Sequence, residues 1–312
     1  MAITGDGTQA SPYLITSYSD LKQFSSDTSL TGNYLQLAND INCKDYGNKF
    51  VWETISLRND TEGGSTYFDL NGHTIKNVSI APDNYMFIDG ASHNTVAYIY
   101  NGNLENIYAY TALGVCDGWI DFRNMGMSID LTGVKDVPFG KHARFNIHDC
   151  GIRIVSSSVV SGYEGIFYRF SDSNTYLDGI IEDTDFIMNY SGRPFINGYG
   201  GSYSTGVVRN CRFTGKYTGW VHGLIQSDEV YNNVAEIDLS DCRYTGYNPT
   251  WYSDRFYAFE AKTLASANVL NIDSIPSNSG GYFEFPSVIQ ATTSQIRTGS
   301  WLRENNFEVV NV

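Results

Sequence analysis

Charge is scarce in this chain of 312 residues. Asp, Glu, Lys and Arg make up 17% of it, against roughly 25% in an average globular protein. Lys and Arg together number 20 and the net charge is −14. Binding nucleic acid through its phosphates needs a clustered basic footprint, and that is missing. Docking on an anionic membrane surface is excluded for the same reason. No apolar run approaches the roughly 18 residues of a membrane span, so no membrane insertion is expected. The opening Met1-Ala2-Ile3-Thr4-Gly5-Asp6 has neither the basic nor the apolar region of a signal peptide, and the expectation is a chain that does not use the Sec route. Five cysteines, an odd number without framework spacing, argue for reduced thiols.

Helical periodicity is also scarce. One short helix is predicted over Ser19-Asp20-Leu21-Lys22-Gln23-Phe24, with Ser17 or Ser19 as cap and Leu21 and Phe24 facing inward. A second candidate runs from Thr293 to Leu302. Most of the remainder alternates apolar and polar residues over four to eight positions, with Gly, Asn and Asp between, which is the pattern of strands and turns.

A short unit recurs: an apolar residue, any residue, Asn or Asp, then a small or β-branched residue. Its Asn or Asp falls at Asn77, Asn106, Asp136, Asp149, Asp183, Asn210 and Asp241. The intervals are 29, 30, 13, 34, 27 and 31 residues. Apart from the 13, each matches one turn of a repeating coil. The reading is an all-β coiled parallel sheet whose coils stack at about 4.8 Å and share a core. Asn and Asp suit the bends, because a short polar side chain bonds nearby backbone and tolerates the left-handed conformation. The next residue then points inward. That places Val78, Ile107, Val137, Cys150, Thr184, Cys211 and Cys242 in one interior column, with the cysteines as small buried hydrophobes.

The first 80 residues carry a resemblance. Gly5-Asp6-Gly7-Thr8 leads through Ser11-Pro12-Tyr13-Leu14-Ile15 to Asp20-Leu21-Lys22-Gln23-Phe24. Tyr34-Leu35-Gln36-Leu37-Ala38-Asn39-Asp40-Ile41 and Phe68-Asp69-Leu70-Asn71-Gly72-His73-Thr74-Ile75-Lys76-Asn77 follow. This series resembles the opening of right-handed parallel β-helix proteins of phage tail spikes and bacterial surfaces. The resemblance implies a single β-helix with a short helical cap. Residues 1–45 would form the N-terminal cap and first strands, 46–275 the coils with flank loops, and 276–312 a small C-terminal cap. Insertions forming loops or sheets on the flank are expected at 44–66, 81–97, 112–127, 156–175, 190–204 and 245–262.

β-Helix enzymes cut polysaccharides, so paired carboxylates are the first candidates. Asp183-Thr184-Asp185 resembles part of the polygalacturonase "NTD" motif, but Gly72-His73-Thr74 and Arg153-Ile154-Val155 depart from that family's "GHG" and "RxK". Trp119-Ile120-Asp121-Phe122 resembles the "WIDH" of pectate lyases with Phe122 in place of the histidine. Asp117 with Asp121 is the pair that could gather a Ca²⁺-binding acid cluster for a lyase. The histidines His73, His93, His142, His148 and His222 have no metal-ligand spacing, and neither a metal nor another cofactor is expected.

Aromatics are plentiful, with 23 Tyr, 17 Phe and 5 Trp. They crowd between Tyr190 and Tyr257, and Tyr217, Trp220, Trp251 and Tyr252 are the candidates for stacking on sugar rings or anchoring an interface. The expectation is a non-enzymatic, phage-like virion protein: a tail spike, fibre or surface appendage. It would be homotrimeric and would attach to host surface polysaccharide or to other virion proteins. Two alternatives stay open, a polysaccharide depolymerase of tail-spike type (hydrolase or lyase, with Asp183, Asp185, Asp117 and Asp121 as its acids) and an extracellular bacterial surface adhesin.

Overall fold

The structure, a computed structural model, describes residues 3–47, 50–57, 65–80, 85–87, 96–108, 120–131, 146–156 and 180–187 in full. Elsewhere it describes backbone alone, in Ile88, Ala109, Trp119, 144–145, 157–160, 167–168, 177–179, 188–192, 196–197, 204–209, 212–219, 225–226, 236–238, 243–244, 259–260, 270–271 and 289–290.

The protein is mostly β, with a long parallel sheet. Each pass of the chain lays a strand beside the one before it. Tyr13–Ile15 pairs with Tyr34–Leu37, which pairs with Thr66–Asp69, then Val96–Ala109, then Trp119–Asp130. Pairing continues through Arg144–His148, Leu177–Glu182, Ser204–Arg209 and Glu236–Asp238. Every one of these pairings is parallel. A second parallel group joins Phe167–Tyr168, Ile196–Asn197, Ile225–Gln226 and Phe259–Glu260.

The strands form because their residues alternate. Thr66-Tyr67-Phe68-Asp69 turns Thr66 and Phe68 inward and Tyr67 and Asp69 outward. Register then stacks like on like. Leu35, Phe68, Ile99, Phe122, Ile147 and Ile181 form one inner column, and each is at most 1% exposed. Ile75, Leu104, Met127, Ile152 and Phe186 form another beyond the bend. Burying side chains of this size contributes about 1.5–3 kcal/mol each.

The predicted helix is present as Tyr18–Ser26, longer at both ends than the sequence pattern indicated. Ser17 is its cap: its hydroxyl accepts from the Asp20 amide at 3.3 Å. Asp20 in turn accepts from the amide and hydroxyl of Thr16, at 2.8 and 2.7 Å. Burial pushes that carboxyl upward, but these hydrogen bonds prevail and hold it below its ordinary range. Leu21 and Phe24 are buried, as the periodicity required.

Three expectations need correcting. Residues 119–127, placed in a flank insertion, lie in the strand Trp119–Asp130 of the long sheet, whose Ile120 and Phe122 are fully buried. The insertions placed at 156–175 and 190–204 also start too early, because the strands Gly151–Val160 and Asp185–Gly192 run to 160 and 192. The single interior column is two. Val78 and Ile107 belong to one bend, whereas Cys150 and Thr184 belong to another. The two bends share a motif because both need a left-handed residue: Asn77 and Asn106 at the second, Asn101, Asn124, Asp149 and Asp183 at the first, with φ between 51° and 60°. Val137, Cys211 and Cys242 lie outside the described residues, as does the candidate helix at 293–302. The strands beginning at Arg212 and Arg243 continue the register of Asp185.

Candidate functional site

Two adjacent outward columns of the parallel sheet carry the polar chemistry. The first runs Tyr34, Tyr67, Tyr98, Asp121, Asn146. The second, two residues along, runs Gln36, Asp69, Tyr100, Arg123, His148, Glu182. The first three tyrosines stack ring on ring, 4.6 and 4.9 Å between centroids and 8° between planes at both steps. Arg123 closes the stack, its guanidinium carbon 5.4 Å from the Tyr98 ring centroid.

At Asp121 the face changes from aromatic to ionic. The Asp121 carboxylate accepts twice from Arg123, at 2.6 Å from Nε and 2.7 Å from Nη2. Asn146 donates to it at 3.3 Å. Its oxygen Oδ2 also lies 3.8 Å from His148 Nε2, while His148 Nδ1 lies 2.8 Å from Glu182 Oε1. One imidazole therefore sits between two carboxylates from different passes. The Asn146 amide oxygen accepts from the Ile180 amide at 3.1 Å, tying in the next pass. Asp121 is only 1% exposed. Arg123 keeps half of its side chain in solvent. The bidentate contact with Asp121 raises the Arg123 guanidinium further above its already high value.

These contacts decide how the sequence candidates stand. Asp121 is central to the cluster, but its carboxylate is engaged by Arg123 and Asn146, which does not suit a Ca²⁺ ligand. Asp117 lies outside the described residues. Among the described residues, no group of His, Cys, Asp and Glu could hold a metal ion. Asp183 is a bend residue with φ 51°, and Asp185 opens the following strand. Between them Thr184 is buried: its hydroxyl donates to the Glu182 carbonyl at 2.8 Å and accepts from the Cys150 amide at 3.4 Å. The Asp183-Thr184-Asp185 triplet thus serves the bend. Tyr217 lies in the strand Arg212–Gly219, in register with Tyr190. Trp220, Trp251 and Tyr252 lie outside the described residues.

Arg123, Asn146, His148 and Glu182 escaped the sequence reading as a set. The signal that could have found them is outward parity at matching positions of successive passes. The two thiols described, Cys43 and Cys150, are both pushed up to about 12 by burial, which suits interior packing and not nucleophilic chemistry.

A groove of about 500 Å³ opens beside this face, along the first bend. Asn101, Asn103, Asn124, Asp149, Gly126 and Gly151 contribute to its lining.

No protein-family model matches the chain, nor does any curated protein. Among solved structures, the chain is similar to a Bacteroides ovatus protein provisionally described as an immunoglobulin A1 protease. The TM-score is 0.43 at 14% identity, over 84% of this chain and 86% of that one. A likeness this distant carries no argument about activity. Among the described residues, no helix is long and apolar enough to cross a membrane.

Proposed function

We propose that the chain is a right-handed parallel β-helix that serves as a rigid, non-enzymatic appendage of a phage-like particle: a tail spike, fibre or surface protein. It attaches to surface glycan or to neighbouring particle subunits and acts as a homotrimer. The observation that carries this reading is the parallel register, which runs from Tyr13 to Gln290, with buried residues stacked along it as far as Phe186. A sheet built this way leaves few backbone groups unpaired, and that favours stiffness and resistance to proteolysis. The ionic cluster supports a mechanical role as well. Asp121 accepts from Asn146 of the next pass, and Glu182 contacts the His148 imidazole of the pass before it, so the cluster staples the sheet from outside. Recognition then resides on the flanks and bends.

Size-exclusion chromatography with light scattering tests the assembly. A trimer is expected, and a strict monomer at high concentration overturns that part of the reading. One observation favours depolymerase chemistry instead: Asp121, His148 and Glu182 bring two carboxylates and an imidazole together. Incubation with surface polysaccharide separates the two readings. Under the appendage reading no new reducing ends and no ultraviolet-absorbing unsaturated sugars form. Product that disappears in Asp121→Asn establishes the enzyme.

A further inference from the structure

The groove at the first bend has a definite construction. Bend residues Asn101, Asn124 and Asp149 stand along one side, all left-handed. Asn124 Nδ2 donates to Asn101 Oδ1 at 3.0 Å, and Asn101 Nδ2 donates to Asp69 Oδ1 at 3.3 Å, so the amides are held in a fixed line. The floor is the outward column after the bend: Asn103, Gly126 and Gly151, in register on three successive passes. A Cβ on Gly126 would come within 2.4 Å of the Asn103 amide oxygen, which lies across it.

Gly151 is different. Its φ is outside the left-handed region, and a Cβ there would meet nothing within 4 Å. Neither backbone conformation nor crowding calls for glycine at this strand position, where glycine weakens the strand. What glycine does provide is an open floor where a ligand can approach the backbone.

The chemistry of the lining narrows the ligand. The floor strands pair with neighbours on both sides, so backbone groups are not on offer to an added peptide strand. What remains are amides and a carboxylate, which match hydroxyl groups, each a donor and an acceptor. Among the described residues no Lys or Arg lines the groove, and Asp149 would repel an anion. The volume is within the range of small-ligand clefts, about 300–1,000 Å³.

We infer that the groove between Asn101, Asn124 and Asp149 on one side and Asn103, Gly126 and Gly151 beneath binds a neutral glycan laid along the stacking direction. The inference rests on the attachment reading above and assigns it a site and a charge preference. The test uses the full chain on an array of neutral gluco-, manno- and galacto-oligosaccharides beside uronate- and sialate-bearing ones. Binding to neutral chains is expected. Gly151→Trp, which fills the floor, lowers that affinity at least tenfold while the circular dichroism spectrum and the melting temperature stay near those of the parent. Asn103→Lys, a second variant that leaves the floor open, moves preference toward the acidic chains. Binding confined to acidic chains, or binding unchanged in both variants, overturns the groove and leaves the attachment reading standing. No binding to any chain on the array overturns the groove and, with it, glycan as the attachment partner.

Discussion

The two bends of the sheet solve the same problem and meet different fates. At the first bend a left-handed Asn or Asp recurs in consecutive passes, at Asn101, Asn124, Asp149 and Asp183. At the second, Asn77 donates to Asn42 at 2.8 Å and Asn106 to Asn77 at 3.4 Å. The series then stops. In the next pass Met127 still faces Leu104, but Ile129 faces Ile107, with one residue fewer between them. Between Met127 and Ile129 no residue takes the left-handed conformation that Asn106 has in the pass before. A left-handed residue is therefore dispensable where the inner side chains can close the gap, and Ile107 and Ile129 remain fully buried across it.

The largest expected effect lies in the interior leading into the first bend. Phe122→Ala should lower stability by about 3–5 kcal/mol, read as a fall in denaturant midpoint. A loss below 1 kcal/mol would mean that the passes do not share a core. Next in size is the contrast between bends. Asn124→Val forces a β-branched residue into the left-handed region, which costs about 1–3 kcal/mol. Deletion of Asn106, which gives that pass the residue count of the following one, should lose less. Equal losses would erase the distinction. A smaller effect is expected from Thr184→Val, about 1 kcal/mol, because the Glu182 carbonyl loses its hydroxyl donor.

The last effect is absent at neutral pH and appears only under alkaline conditions. Burial raises the Cys150 thiol from 9.0 to about 12. The unfolded chain therefore releases this proton first, and stability falls as pH rises from about 9 toward 12. Below 9 the contribution is fully present. Cys150→Ala should flatten that part of the stability curve. Alkylation of native protein near neutral pH should leave Cys43 and Cys150 unmodified, and rapid labelling of either would contradict their placement.

Much of the fold was legible in the sequence, because its signals are local. The capping serine, the inward Leu21 and Phe24, and the Asn or Asp before a buried residue each show within a few positions. The existence of two bends was not legible. Asn77 and Asp149 sit in the same short motif, and only pairing tells which neighbour each one stacks on. The ionic cluster was hidden for a related reason. Asp121 meets Asn146 across 25 residues, and His148 meets Glu182 across 34. Pass length varies, so no fixed spacing brings these side chains together. Asp121 was noticed through the Trp119-Ile120-Asp121-Phe122 motif, yet its partners follow from outward parity and register.

The rings of Tyr34, Tyr67 and Tyr98 lie almost parallel and almost in van der Waals contact. Chromophores so arranged couple their electronic transitions, and their near-ultraviolet dichroism then depends on the offset of each ring from the next. The molecule thus carries an intrinsic optical gauge across three of its windings, and a slip of one winding against another would change that signal without any added label.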